Sequence, residues 1–444
     1  MADRHYLVAV IGAGPAGLFA ARQLANQGAQ VVLFNRDVKP GGLAEYGIYH
    51  SKIKMKEGLR KQFRQILDTP QITYYGNITI GAAGDFSLEL LRRLGFHAVL
   101  VTAGAQGTKW LGLPGEDLQG VYHAKDLVYH YNKLPPYSQH HYAIGKHVAL
   151  IGVGNVMMDI AHWLVRDLKA HTVAGVARRG PAEVKFTKKE MESVGANLDE
   201  ASLESELARV APVMEAIGQD VTAARQYIIS GTAKALPATS ATRLRFEFLA
   251  SPVRILGDEK GRVCGLEVEN TTLSGDKDNP KARGLGTFRV LDVDTVVFCI
   301  GDKVDESFGL PVMWNAYVKN PAPSFPVDAH SYEAYDPQAE KPIQGVFVAG
   351  WSREASSGLV GIARKDGENG AQAVLRYLDT QPRLAEPQSV LAALDGCMQQ
   401  LNKPVVTLPL LRKLEAEECA EAQKRGLDEF KYASNAEMFV VMGV

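Results

Sequence analysis

Two stretches of the sequence repeat one local pattern, and that pattern sets the fold class. In the first, the apolar run Leu7–Ile11 enters Gly12-Ala13-Gly14-Pro15-Ala16-Gly17, residues from Leu18 to Asn26 have helical spacing, and Val31 to Phe34 is apolar again. In the second, Val148 to Ile151 enters Gly152-Val153-Gly154, a helix is predicted from Val156 to Leu168, and a strand from Val173 to Ala177. A strand, a turn, a helix and a second strand make a β-α-β unit, whose strands must lie parallel because the helix carries the chain back across the sheet. The glycine spacing adds chemistry. The first glycine allows a tight turn, the second lets the backbone approach a pyrophosphate, and the third lets helix and strand pack closely, while the helix N-terminus presents unpaired N–H groups to the phosphates. The sequence therefore predicts two dinucleotide sites on one chain.

Around these units the pattern is α/β. His97 to Ala103 reads as a further buried strand, residues 190–235 as partly acidic helix, and Leu244 to Ile300 as hairpins with turns at Asp258 to Gly261 and Ser274 to Asp278. Gly345 to Gly350 gives one more strand, Leu359 to Leu378 a helix interrupted by Gly367 and Gly370, and the tail from Pro382 is mostly helical. The expected architecture is two Rossmann-like dinucleotide-binding domains, the second inserted in the first, with a helical C-terminal tail. Its expected boundaries are 1–107 and 326–444 for the first domain and 108–325 for the second.

Charge and composition exclude other classes. Lys plus Arg (49) balances Asp plus Glu (50), which disfavours a nucleic-acid binder, and no apolar run approaches the length of a membrane span. The four cysteines are far apart, with neither a C-x-x-C pair nor zinc spacing, and no G-x-S-x-G is present. No metal site is expected, and His140-His141 reads as a surface loop. Polar Met1 to Tyr6 leads straight into the first strand, so no targeting peptide is expected and the expected location is cytoplasmic.

The two sites differ in their selecting residues. At the end of the first unit's second strand, where an acid would hold the adenosine ribose, stands Asn35, with Asp37 two positions on. An amide can still bond a hydroxyl, so an altered ribose contact is expected. The second unit carries Met157 in place of the third glycine, which predicts a helix slightly further from its strand. Its second strand ends in Arg178-Arg179, which would bind a 2′-phosphate, so NADPH is favoured over NADH.

These phrases resemble the adrenodoxin-reductase-type ferredoxin-NADP reductases, flavoproteins with two dinucleotide-binding domains. The resemblance rests on Gly12-x-Gly14-x-x-Gly17, on Gly152-Val153-Gly154-Asn155-Val156 with Asp159, on Arg178-Arg179-Gly180-Pro181 with Phe186-Thr187 and Lys189-Glu190, on Gly350-Trp351 with Gly358, and on Leu414 to Glu418. It implies FAD at Gly12, Gly14, Ala16, Gly17, Asn35, Gly42, Leu43, Gly104, Gly350, Trp351, Gly358, Leu359 and Val360. It implies NADP at Gly152, Gly154, Asn155, Val156, Arg178, Arg179 and Glu190. Asp159 and Glu190 match acidic family positions near the nicotinamide. Lys52 sits where the family has a histidine and His50 lies two positions earlier; these four residues are the catalytic candidates. The implied activity is hydride transfer from NADPH to FAD and single-electron delivery to a small acidic iron-sulfur carrier.

Lys52, Lys54, Lys56, Arg60, Lys61 and Arg64 would form a basic face able to steer such a carrier. Lys52 also resembles the small subunit of glutamate synthase, which leaves open a reductase subunit of a larger complex. A non-catalytic flavin or nucleotide sensor is the other alternative.

Overall fold

The computed structural model describes residues 6–383 and 387–444. The chain divides into two compact units, one of residues 1–108, 129–139 and 302–444, the other of 109–128 and 140–301. The first unit resumes at Asp302, ahead of the expected 326. The reason is apolar: Val304, Phe308, Leu310 and Tyr317 are buried in the first unit's core beside Phe86 and Val101.

The first unit is built on a six-stranded sheet whose order is Glu333–Asp336, Lys341–Val348, Ala98–Val101, Leu7–Ile11, Gln30–Asn35 and Ile72–Gly76. All neighbours are parallel except the first pair. Leu7 pairs with Gln30 and Val8 with Ala98, which puts Leu7–Ile11 at the interior of the sheet, buried on both faces. An uninterrupted apolar run is what such a strand requires.

The helices Pro15–Asn26 and Val360–Leu378 pack on one face of that sheet, with Leu18, Leu24, Ala371 and Val374 fully buried. The second of these helices is continuous. Gly367 and Gly370 do not interrupt it; they are where it touches its neighbours. A Cβ on Gly367 would stand 2.1 Å from the carbonyl oxygen of Ala16, and one on Gly370 would stand 2.7 Å from the Cβ of Ala349. The helical tail is present as Pro387–Gln399, Leu408–Arg425 and Asn435–Met442.

The second unit has a five-stranded parallel sheet in the order Val121–His123, Thr295–Phe298, His147–Ile151, Thr172–Val176 and Arg243–Glu247. An antiparallel sheet of Ala250–Gly257, Val263–Ser274 and Lys281–Leu291 accompanies it, with Gly261 at φ +70° in the turn expected at 258–261. Met157, in place of the third motif glycine, is fully buried, and Gly175 in the neighbouring strand lies close to the Phe246 ring, where a Cβ would stand 3.1 Å away.

Gly367→Ala tests the helix contact, because alanine improves helix propensity yet drives a methyl into the Ala16 carbonyl. Its denaturation midpoint should fall, with a cost of about 1–3 kcal/mol typical of overpacking. An unchanged or raised midpoint would show that the helices can separate freely.

Candidate functional site

In the first unit the glycine turn has the geometry its spacing predicts. Gly12 adopts φ +103°, and a Cβ there would lie 2.5 Å from the Thr102 carbonyl. A Cβ on Gly17 would strike the Gly12 carbonyl at 1.9 Å, so only glycine lets the helix sit this close. Gly14 is different in kind: nothing lies within 4 Å of where its side chain would go. That open space beside a helix N-terminus is a cradle for a phosphate.

The other first-site candidates gather around this turn. Gly42 approaches Gly14, with a hypothetical Cβ 3.2 Å from the Gly14 Cα, and Leu43 opens the short helix Leu43–Tyr46 that follows. Gly350 abuts Ala16, its hypothetical Cβ 2.7 Å from the alanine methyl. The Gly104 N–H donates to Ser352 Oγ at 3.0 Å, and Trp351 Nε1 donates to the Ser357 carbonyl at 2.8 Å, next to Gly358 at φ +72°. Leu359 caps the helix that starts at Val360, and Leu359 and Ile362 are 68% and 57% exposed, an apolar surface beside a helix N-terminus.

Asn35 does something other than expected. Its Oδ1 accepts from the Ala13 N–H at 3.1 Å, and its Nδ2 donates to the carbonyls of Asp37 (2.8 Å) and Lys39 (2.9 Å). Both amide protons are engaged and the residue is buried. It braces the glycine turn against the 37–39 loop, which leaves no donor for a ribose hydroxyl.

Sequence reading also missed Asp366, Arg353 and Thr102. Asp366 accepts from the Gly350 N–H at 2.6 Å and from Tyr332 at 3.0 Å, and pairs with Arg353 at 2.7 Å, fixing the Gly350–Arg353 turn to the long helix. Thr102 Oγ1 bonds the carbonyls of Ile11 (3.0 Å) and Gly12 (2.9 Å). Their signal was positional: Thr102 directly follows a buried strand, Arg353 lies within the glycine-containing turn at 350–358, and Asp366 lies on the helix that follows it.

In the second unit, Gly152 at φ +112° would place a Cβ 2.6 Å from the Cys299 carbonyl, while Gly154, like Gly14, faces open space. Asn155 Oδ1 accepts from the Thr187 N–H at 2.9 Å and Lys185 N–H donates to the Val153 carbonyl at 2.8 Å, tying the loop after the arginines to the glycine turn. Val156 is largely exposed at the helix start. Arg178 is exposed and Arg179 half-buried, and neither guanidinium has an ion-pair partner among the described residues. Their backbone is held instead, Arg178 accepting from Thr271 Oγ1 at 2.7 Å and Arg179 from the Leu249 N–H.

The family model for pyridine nucleotide-disulphide oxidoreductases matches residues 6–350, a span that contains both open glycine cradles. The chain belongs to that family. It is 27% identical to the NADPH-ferredoxin reductase FprA of Mycobacterium tuberculosis over 98% of both chains, and 28% identical to the mitochondrial NADPH:adrenodoxin oxidoreductase of Arabidopsis thaliana over 81% of this chain and 79% of that one. The structure of FprA from Mycobacterium tuberculosis in complex with NADPH superposes with a TM-score of 0.82 at 23% identity, over 99% of this chain and 100% of that one.

This member of the pyridine nucleotide-disulphide oxidoreductase family has four free cysteines. Of its catalytic candidates, Asp159 and Glu190 lie half-buried in the second unit on two helices that pack together, Asn155–Arg166 and Lys188–Met191. His50 and Lys52 share a single 3-10 turn in the first unit, His50 exposed with its ring 4.2 Å from that of Tyr49 and Lys52 half-buried.

The basic stripe expected at 52–64 is not a free face. The Lys56 side chain is fully buried, bonded to Asn132 Oδ1 at 3.1 Å and 3.4 Å from Glu429. Arg60 pairs with Glu45 at 2.6 Å and with Glu57 and Glu429, and Arg64 pairs with Glu415 at 3.2 Å. Lys54 and Lys61 alone of the six are exposed. The tail's Glu415 and Glu429, with Glu45, pair three of the stripe's six cations, which composition over a short window could not reveal. The network extends to Lys39, paired with Glu418 and with Glu45 at 3.6 Å, and to Lys431, 2.8 Å from Glu45. Burial opposes ionisation of Glu45, yet Lys431, Lys39 and Arg60 hold its carboxyl well below the usual range. Burial likewise opposes the Lys39 ammonium, which Glu418 and Glu45 hold above its ordinary value.

Burial, followed by the like charge of Lys431, pushes the Lys56 amine down to about 8 from 10.5. Between those values the unfolded chain holds a proton that the folded chain has released, so stability rises with pH across that window. Lys56→Met should remove that rise, on the order of 1–3 kcal/mol, from denaturant midpoints compared at the two ends of the window; an identical slope in both proteins would refute the assignment. Asn35→Asp, which restores the acid that ribose binding ordinarily uses, should instead lower the midpoint by roughly 1–3 kcal/mol, because it turns two donors into acceptors facing carbonyls.

Proposed function

We propose that this chain is an FAD-dependent NADPH:ferredoxin reductase, taking hydride equivalents from NADPH and supplying single electrons to a small acidic iron-sulfur carrier. The observation that carries the reading is the pair of unpaired arginines, Arg178 and Arg179, at the strand end beyond the open Gly154 cradle. Two guanidiniums suit a 2′-phosphate, which an acid at this position would repel. The names of the relatives aligned over nearly the whole chain, NADPH-ferredoxin and NADPH:adrenodoxin reductases, point the same way.

The first cradle fits FAD. Gly12, Gly14 and the N-terminus of the Pro15 helix would hold the pyrophosphate, with Gly42 and Leu43 closing over it. Trp351, Leu359 and the N-terminus of the Val360 helix would receive the ring system, and the positive end of that helix favours a ring carrying negative charge. The chemistry FAD supplies when bound is conversion between a two-electron hydride and single electrons. Gly152, Gly154, Asn155 and Val156 would hold the NADPH pyrophosphate, and Asp159 and Glu190 would orient the nicotinamide. His50 and Lys52 are proposed as polar groups of the first site.

Among the described residues no helix is long and apolar enough to cross a membrane. We place the enzyme in the cytoplasm, in keeping with four free cysteines. Carrier recognition is not assigned to residues 52–64, where Lys56, Arg60 and Arg64 are paired internally.

The reading is tested by anaerobic titration of the purified protein, following its visible flavin band. NADPH should bleach it stoichiometrically and NADH far less. Arg178→Glu with Arg179→Glu should raise the NADPH needed by two orders of magnitude or more, on the scale of two lost charge-assisted contacts, while flavin content stays constant. A colourless protein, or equal use of both nucleotides, would overturn it.

A further inference from the structure

The second unit carries an open cleft of about 400 Å³ that the nucleotide site does not use. It lies where the sheet's strands begin: His147, Thr172 and Arg243 are the first residues of their strands, whereas Gly152 follows the last residue of its own. Its walls are unusual in charge. His147, Lys169, His171 and Arg243 bring four basic side chains, Ser240 and Thr242 bring hydroxyls, and no carboxylate lines it.

The cations Lys169 and Arg243 gathered on one concavity focus a positive potential there, an arrangement that an anion relieves. Two acids stand close by: Asp294 is engaged elsewhere, and Asp199 is shared between a helix cap and an ion pair with Arg243. Asp294 accepts from the backbone N–H groups of Lys146 and His147 at 2.8 and 3.0 Å. Asp199 caps the helix Glu200–Glu215 through the Ser202 N–H at 3.0 Å and stands 3.7 Å from the Arg243 guanidinium. The Lys169 ammonium has no ion-pair partner among the described residues. The two imidazoles meet edge to face with centroids 5.7 Å apart, and His147 Nδ1 is bonded to Thr172 Oγ1 at 3.0 Å, so its other nitrogen is the one available to a ligand.

The backbone adds an independent observation. Lys169 has φ +54°, the left-handed region that glycine occupies without strain and a side chain does not. The chain nevertheless places a lysine there, directly on the cleft wall. The two neighbouring cations also disfavour a metal ion at the histidine pair, and a cleft of this size suits a small ligand.

We propose that this cleft is a second binding site, separate from the nucleotide site, for a phosphate-bearing anion. Lys169 and Arg243 supply fixed positive charge, and His147 and His171 supply donors to the phosphoryl oxygens, while the Ser240 hydroxyl donates to Thr242 Oγ1 at 2.8 Å and the Thr242 hydroxyl to the Ala170 carbonyl. The anion is a free phosphate or pyrophosphate, or the phosphate monoester of a larger metabolite, and the test separates these sources.

Calorimetric titration of the full-length holoenzyme with inorganic pyrophosphate and, separately, with adenosine 5′-phosphate decides it. Both are run on the unsubstituted protein saturated with NADP and on the Arg178→Glu, Arg179→Glu variant, so that phosphate entering the nucleotide site is not counted. Pyrophosphate should bind in both settings. Lys169→Gly should weaken that binding roughly tenfold or more, the scale of one charge-assisted contact, while its melting temperature stays equal or rises because backbone strain is relieved. His171→Gln should weaken it without changing the melting temperature. Equal affinity for both ligands identifies the free phosphoryl group as the feature recognised, and tighter binding of the adenosine ester identifies an ester as the source. Absence of heat at millimolar pyrophosphate, or binding unaffected by Lys169→Gly, would overturn the proposal.

Discussion

The first unit depends on a contact that has no side chain on one of its sides. The carbonyl of Ala16 lies against the bare backbone of Gly367, and the methyl of the same alanine lies against Gly350. Ala16 belongs to the first turn of the helix that faces the open Gly14 cradle, while Gly350 and Gly367 come from the far end of the chain. A methyl at any of the three close positions, Gly17 included, would push two segments apart by more than packed interiors absorb. The cradle, the 350–358 turn and the N-terminus of the Val360 helix are therefore positioned by one set of backbone approaches. Asp366 then locks the turn, since a single carboxylate holds the Gly350 N–H and the Arg353 guanidinium together.

The C-terminal tail supplies the second organising interaction, and it is electrostatic. Glu415, Glu418, Glu429 and Lys431 enter a network with Lys39, Glu45, Lys56, Arg60 and Arg64, the segment that follows the first site's second strand. Buried ion pairs gain little net stability over apolar packing, but losing one partner strands the other, so such a network enforces one arrangement. Glu45 illustrates this: three cations converge on it, and its carboxylate stays charged although fully enclosed. The same interactions take Lys56, Arg60 and Arg64 out of the basic surface that composition alone suggested. Charge counted along a chain says nothing about whether the opposite charge arrives from 350 residues away.

Much of the fold was legible because its signals are local. Strand–turn–helix order, the apolar runs and the glycine spacing all act within about 30 residues, and both nucleotide units follow from them. Where the reading departed from the structure, the deciding partner was either distant in sequence or a backbone group that residue type does not reveal. Gly367 and Gly370 read as helix interruptions because their contacts, Ala16 and Ala349, are invisible within the helix itself. Asn35 read as a ribose ligand because its position says so, yet its amide is committed to Ala13, Asp37 and Lys39. The return to the first unit at Asp302 was set by apolar residues whose partners sit in strands 200 residues earlier.

The two cradles also show that one geometry has more than one sequence solution. At the first, Gly17 removes the side chain on the helix, so the strand beneath can keep its apolar residues. At the second, Met157 stays on the helix and is fully buried against the sheet, so the close approach that Gly17 enforces is replaced there by an apolar side chain. What differs is what each turn is tied to. The first is braced by an amide to the loop that carries Lys39, and so to the tail. The second is braced by Asn155 to the loop following Arg178 and Arg179, so the residues that would select a 2′-phosphate and the turn that would hold the pyrophosphate move as one piece.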